Sequence, residues 1–161
     1  MLKKLAILLC VGMVAVSGTA CGKKKNNAST TTTTTAAPAA AMVTKGDKTG
    51  FYLSATPQSN DGKMVKVDQA IFTGSSGYVA IHSDANGAPG PVLGVSSLLP
   101  AGTSNNVVVT LTTPLTASAK VWPMLHLEDN NNTTYDFPNG DAPAKDAAGD
   151  VVVLRIQITV S

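Results

Sequence analysis

Cysteine is nearly absent from these 161 residues: Cys10 and Cys21 are the only two, and both precede the part that reads as folded. Beyond residue 21 the chain has no disulfide, no thiol nucleophile and no thiolate metal ligand, which excludes a blue-copper centre. Histidine is equally scarce, at His82 and His126, and aromatic residues make up 4%, so any core is aliphatic. Signatures of the common enzyme classes are missing: there is no G-x-S-x-G elbow, H-E-x-x-H helix, phosphate loop or G-x-G-x-x-G turn. GSSG at 74–77 has the wrong spacing for an elbow and falls where a hairpin turn is needed. These gaps argue against an enzyme. The longest apolar run, LAILLCVGMVAV at 5–16, is too short to span a bilayer.

That run has a different use. Lys3 and Lys4 precede it, and Ser17, Gly18, Thr19 and Ala20 lead from it into Cys21, the order of a charged n-region, apolar core and small-residue cleavage site. The segment resembles a bacterial lipoprotein signal, although Gly18 stands three residues before the cysteine where that pattern usually has Leu. The resemblance implies that residues 1–20 are a signal peptide and that Cys21 is lipidated, holding the chain at the cell membrane on its extracytoplasmic side. A plain secretory signal followed by an incidental cysteine is the alternative.

Charge is divided along the chain. From Gly22 to Lys48 five lysines face only Asp47, for a net +4, whereas from Thr49 onward five cations face nine acids, for −4. Lys23, Lys24 and Lys25 follow the lipid site and suit anionic headgroups, at about 1 kcal/mol each. A nucleic-acid partner is not expected, because the basic stretch carries no interleaved aromatics and the remainder is acidic. The run NNASTTTTTTAAPAAA offers no large apolar side chain before Met42, so residues 21–48 read as a disordered Lys/Thr/Ala/Pro-rich linker. About 25 such residues would carry a domain roughly 25–30 Å from its anchor.

Residues 49–161 change texture to short β-branched runs broken about every ten residues by Gly, Pro, Asn and Asp. That rhythm predicts an all-β fold, an immunoglobulin-like Greek-key β-sandwich of about seven strands. The strands are expected near 50–56, 64–72, 77–83, 91–97, 105–112, 119–128 and 151–160. Alternation selects Val65, Val67, Ile71, Val79, Ile81, Val107, Val109, Leu111, Val152, Leu154, Ile156, Ile158 and Val160 for the core. Pro123, which cannot donate to a ladder, is expected at an edge or a bulge.

Several short patterns recur within this region: GYVAIH at 77–82, LGV at 93–95, an L-x-x-G-x-x-x-x-V-x-V-x-L run from Leu99 to Leu111, and Met124, His126, Tyr135, Phe137 and Pro138 near the end. Together they resemble a family of surface-protein domains catalogued as domain of unknown function 7282. The resemblance implies an extracellular β-sandwich joined to anchors or other surface proteins, with no catalytic activity. Where the family pattern has Asp two residues after the late histidine, this chain has Glu128 and then Asp129.

Few side chains can carry chemistry. If Val79, Ile81, Leu125 and Leu127 point inward, then Tyr78, His82, Trp122, Met124, His126 and Glu128 share the opposite face. Two imidazoles, a thioether and a carboxylate (His82, His126, Met124, Glu128) form a candidate copper or zinc set. The plainer reading is that both histidines hydrogen-bond neighbouring loops. The acidic stretch after β-like residues 119–128 offers Asp129, Asp136 and Asp141 as a candidate calcium loop by donor type, without an EF-hand register. A solvated acidic loop fits it better, with Tyr135, Phe137 and Pro138 packing back over the sandwich end. Tyr78, Trp122 and Arg155 are the candidate partner face for an unknown surface ligand or protein. The reading favoured overall is a lipid-anchored surface module with a structural or binding role and no cofactor.

Overall fold

The computed structural model describes residues 40–161; the expected signal peptide 1–20, Cys21, Lys23–Lys25 and the linker as far as residue 39 lie outside them. The described chain is all-β and forms two sheets packed as a sandwich. One sheet has the order β1(Val43–Gly46), β2(Tyr52–Ala55), β4(Met64–Phe72), β7(Gly102–Thr110). The other runs β3(Gln58–Asn60), β9(Ile156–Val160), β8(Ala119–Leu127), β5(Gly77–Ala85), β6(Ala88–Val95). Neighbours pair antiparallel except β3 with β9, which is parallel. Nine strands thus replace the seven expected.

The differences have local causes. The expected strand at 50–56 ends at Ala55, and the chain passes Pro57, which has no N–H for a ladder, to re-enter the opposite sheet as β3. Strand β1 lies inside the stretch assigned to the linker, so the folded part begins before residue 49. Only Val43 of its four residues is apolar, and it packs on the core. Lys45 joins Asp146 and Asp150 at 3.0 Å each. A short edge strand held by one apolar contact and an ion pair leaves almost no periodic signal.

Pro123 is the second correction. It sits neither at an edge nor in a bulge but in β8, between β9 and β5, with an unshifted register from Gly77↔Leu127 to Ser83↔Val121. The break falls on the other side. Leu154 N–H donates to the Pro123 carbonyl at 2.9 Å, and proline cannot return that bond. Continuous pairing on that flank therefore starts only at Val121↔Ile156, and β9 is half the length expected for 151–160.

The core joins both sheets through Leu53, Val65, Val67, Phe72, Val79, Ile81, Val107, Val109, Leu125, Ile156 and Ile158, among others. In β4 the inward set changes parity, from Val65 and Val67 to Ala70 and Phe72, so Ile71 is buried but outside the central cluster. The shift coincides with Asn106 on the facing strand, whose φ of 53° interrupts pairing between Val67↔Val107 and Gln69↔Asn105. Val160 likewise ends half-buried at the strand terminus. Gly94 lets β6 approach the end of β7 in the opposite sheet: a Cβ there would collide with the Thr110 carbonyl oxygen and meet Leu111 Cα at 3.0 Å.

Neighbouring residues of β7 test this packing. Val109 is 0% exposed and Val108 is 53% exposed. Val109→Asp places an unpaired charge in the core, at a cost of about 3–5 kcal/mol or more against a total stability of about 5–15 kcal/mol. Val108→Asp should change stability by less than about 0.5 kcal/mol. In urea unfolding followed by circular dichroism, Val109→Asp is expected to lose its cooperative transition while Val108→Asp melts like the parent; the reverse order would mean the strand is inverted.

Candidate functional site

Strands β5 and β8 pair at the centre of the five-stranded sheet, and alternation sends Val79, Ile81, Val121 and Leu125 into the core. Tyr78, His82, Trp122, Met124 and His126 then share the outer face, with Tyr78 opposite His126 and His82 opposite Trp122. This face is not open. The loop 129–141 folds across it, bringing Tyr135 and Phe137 edge-on to His126 at centroid distances of 5.3 and 4.9 Å. Tyr135 also packs on Tyr78 at 5.6 Å, and both histidines are buried.

The two imidazoles meet head to head. His82 Nδ1 lies 2.8 Å from the Gly90 carbonyl oxygen and His126 Nδ1 lies 2.7 Å from that of Asp141. A carbonyl only accepts, so each Nδ1 carries the proton and donates. Both Nε2 atoms are consequently bare in the neutral rings. They face each other across 3.4 Å, with ring planes 17° apart. Burial pushes His126 down to about 4; the charge of His82 acts in the same direction and the Asp141 carbonyl opposes both.

The acidic loop is organised around its own backbone. Asp129 accepts from the N–H groups of Asp141 at 3.0 Å and Ala142 at 3.2 Å. Asp136 accepts from the side-chain amides of Asn130 and Asn132. Asp141 Oδ2 accepts from Asp136 N–H at 2.7 Å. These three carboxylates are engaged by donors of the loop itself, across separations of 4 to 13 residues, rather than converging as a calcium shell. Two buried atoms nearby have no partner, Asp141 Oδ1 and the Tyr135 hydroxyl. Burial raises the Asp141 carboxyl from its usual value, and burial followed by the charge of Asp141 moves Tyr135 up to about 12.

The proposed metal set is therefore only partly assembled. His82 and His126 meet, and Met124 is buried on the same face. Glu128 instead accepts a hydrogen bond from the Tyr78 hydroxyl at 2.9 Å and faces Asn132 N–H at 3.3 Å. Among the described residues no group of three His, Cys, Asp or Glu side chains is placed to hold a metal ion. The expected partner face also divides. Tyr78 is buried beneath Tyr135 and unavailable to a partner, because the loop that sequence periodicity could not place lies over it. Trp122 and Arg155 do come together on Asp84. The indole donates to Oδ1 at 2.8 Å, the guanidinium lies 2.9 Å from the same oxygen, and Arg155 stacks 5.3 Å above the Trp122 ring. The indole bond first, then the Gly87 N–H and Arg155, hold the Asp84 carboxyl below its usual range. Asp84 was not anticipated; its single cue is that it sits two residues beyond His82, at the end of the same strand.

The fold thus defines an all-β module with a sealed histidine pair on one sheet face. The chain belongs to the family described as "Domain of unknown function (DUF7282)", whose model matches residues 52–159. Over 109 residues, 68% of this chain, it is 38% identical to "Cell surface glycoprotein 2" of Haloarcula hispanica, and over 91 residues, 56% of the chain, it is 38% identical to "Cell surface glycoprotein 1" of the same organism. The matched stretches span 11% and 10% of those two proteins. No solved structure matches the chain.

His126 gives this arrangement a measurable pH dependence. Its ordinary value of 6.5 falls to about 4 in the fold, so between those limits the unfolded chain binds the extra proton. Stability from this group is complete above about pH 6.5 and is lost as pH falls through about 4. The loss approaches roughly 3 kcal/mol, at about 1.4 kcal/mol per unit. The ring-proton NMR signal of His126 should titrate near pH 4, and urea midpoints should decline over the same window. A midpoint near 6.5 would show that the ring is solvated.

Proposed function

We propose that this chain is a non-catalytic module displayed at the cell surface, tethered to the membrane through a lipidated Cys21, with a structural or binding role. The carrying observation is that more than half of this chain is 38% identical to each of two proteins named as cell surface glycoproteins. The sequence order of apolar segment, small residues and Cys21 supports the anchor, and Lys23–Lys25 would add attraction to anionic headgroups.

Topology supports an immunoglobulin-like reading of the sandwich. Strands β2, β4 and β7 fall where A, B and E lie in such domains, and β5, β8 and β9 where C, F and G lie. A non-catalytic role is supported by the histidine pair, whose Nδ1–H groups are each spent on a backbone carbonyl. For a surface ligand or protein, the accessible feature is the Trp122–Arg155 pair held by Asp84, an aromatic and a cation pre-positioned as interfaces favour.

The anchor is tested by Cys21→Ser. Without acyl chains, three lysines supply only about 3 kcal/mol of salt-sensitive attraction, so the variant is expected to leave the membrane fraction in high salt while the parent stays. Retention of the variant after a high-salt wash would refute lipid anchoring.

A further inference from the structure

The histidine pair has a property that the surface role does not use. Each ring is fixed by an Nδ1–H bond to a carbonyl, the arrangement that orients imidazole in metal sites and raises its donor strength. Two lone pairs are thereby directed at one another inside the protein. The ring centroids lie 5.6 Å apart and the Nε2 atoms 3.4 Å apart, a difference close to two ring radii. The two donor directions therefore lie nearly on one line, which leaves no space for a water molecule between them. Two facing lone pairs repel unless an electrophile sits between them.

We propose that His82 and His126 form a near-linear, two-coordinate site for a soft monovalent cation, copper(I), the smallest ion of that class, which the two Nε2 atoms take up by parting slightly from their metal-free separation. Zinc fits poorly, since it takes four ligands in a tetrahedron and no third His, Cys, Asp or Glu converges among the described residues. A hard divalent ion fits worse still, because Asp129 and Asp136 are engaged by loop donors and Glu128 by the Tyr78 hydroxyl, which leaves Asp141 Oδ1 as a lone unpartnered carboxylate oxygen. The walls are the rings of Tyr135 and Phe137, and burying a single positive charge there costs less than burying two. Met124, on the same face of β8 as His126, adds a soft donor type to the surroundings. Burial keeps His126 unprotonated at neutral pH, so its Nε2 is free to ligate. His82 retains 5% exposure against 0% for His126, so its side is the less covered of the two.

The test uses the purified full chain in detergent. Copper(I) under ascorbate without oxygen is titrated against a competing chelator. One ion per chain is expected to bind, raising the melting temperature by several degrees, and the ¹⁵N resonances of both Nε2 atoms should shift together. His82→Asn keeps a donor for the Gly90 carbonyl and removes the ligand, so it should melt like the parent without metal and lose the stoichiometric binding. Binding that survives in His82→Asn, equal binding of zinc(II), or no binding with a proton found shared between the two Nε2 atoms would each overturn the proposal. The nitrogen resonances are read on the parent chain, so the assignment can be decided even if the variant fails to fold.

Discussion

The pairing of β5 with β8 organises both sides of this molecule. Seven consecutive residue pairs, Gly77↔Leu127 through Ser83↔Val121, run without a register shift. Because side chains alternate, that ladder delivers Val79, Ile81, Val121 and Leu125 to the core and Tyr78, His82, Met124 and His126 to the outer face. A slip of one residue would bury imidazoles in the sandwich and expose its aliphatic centre. Gly77 secures the end of the ladder: a Cβ there would run into the His126 carbonyl oxygen and the Phe72 ring.

The outer face of a sheet in a small sandwich is ordinarily wet, and here a loop covers it. The covering segment has little aliphatic content of its own, so polar caps hold it in shape. Asp129, Asp136 and Asp141 each receive backbone or amide donors from the loop, and Tyr135 and Phe137 supply the contacts downward to His126 and Tyr78. Acidic residues that look like ion ligands by composition serve instead to tie separated parts of the loop together. The seal has an electrostatic consequence, since burial makes protonation of His126 costly while its Nε2 faces that of His82.

Charge follows the same division. The excess of lysine near the chain's beginning and the excess of acid beyond residue 49 meet at Lys45, whose ion pairs to Asp146 and Asp150 draw β1 onto the module. These pairs are partly exposed and contribute modestly, so Val43 and the ladder to β2 remain the main hold on that strand.

Periodicity alone determined the all-β class, most strand positions, and the shared face of His82 and His126, because a two-residue repeat is written directly in the order of apolar and polar residues. Turn chemistry placed the breaks for the same local reason. What periodicity could not reach depended on contacts distant in sequence. The interior place of Pro123 follows from a gap in its neighbour's pairing, and the parity change in β4 from Asn106 on another strand. Strand β1 exists because β2 offers it a ladder and the core receives Val43, with a salt bridge to residues about a hundred positions away added to these. The approach of two imidazoles to 3.4 Å, the choice of tautomer by Gly90 and Asp141, and the burial of Tyr78 all required the sandwich to close and the loop to fold over it. Distances and hydrogen-bond partners between separate strands are fixed only by that closure.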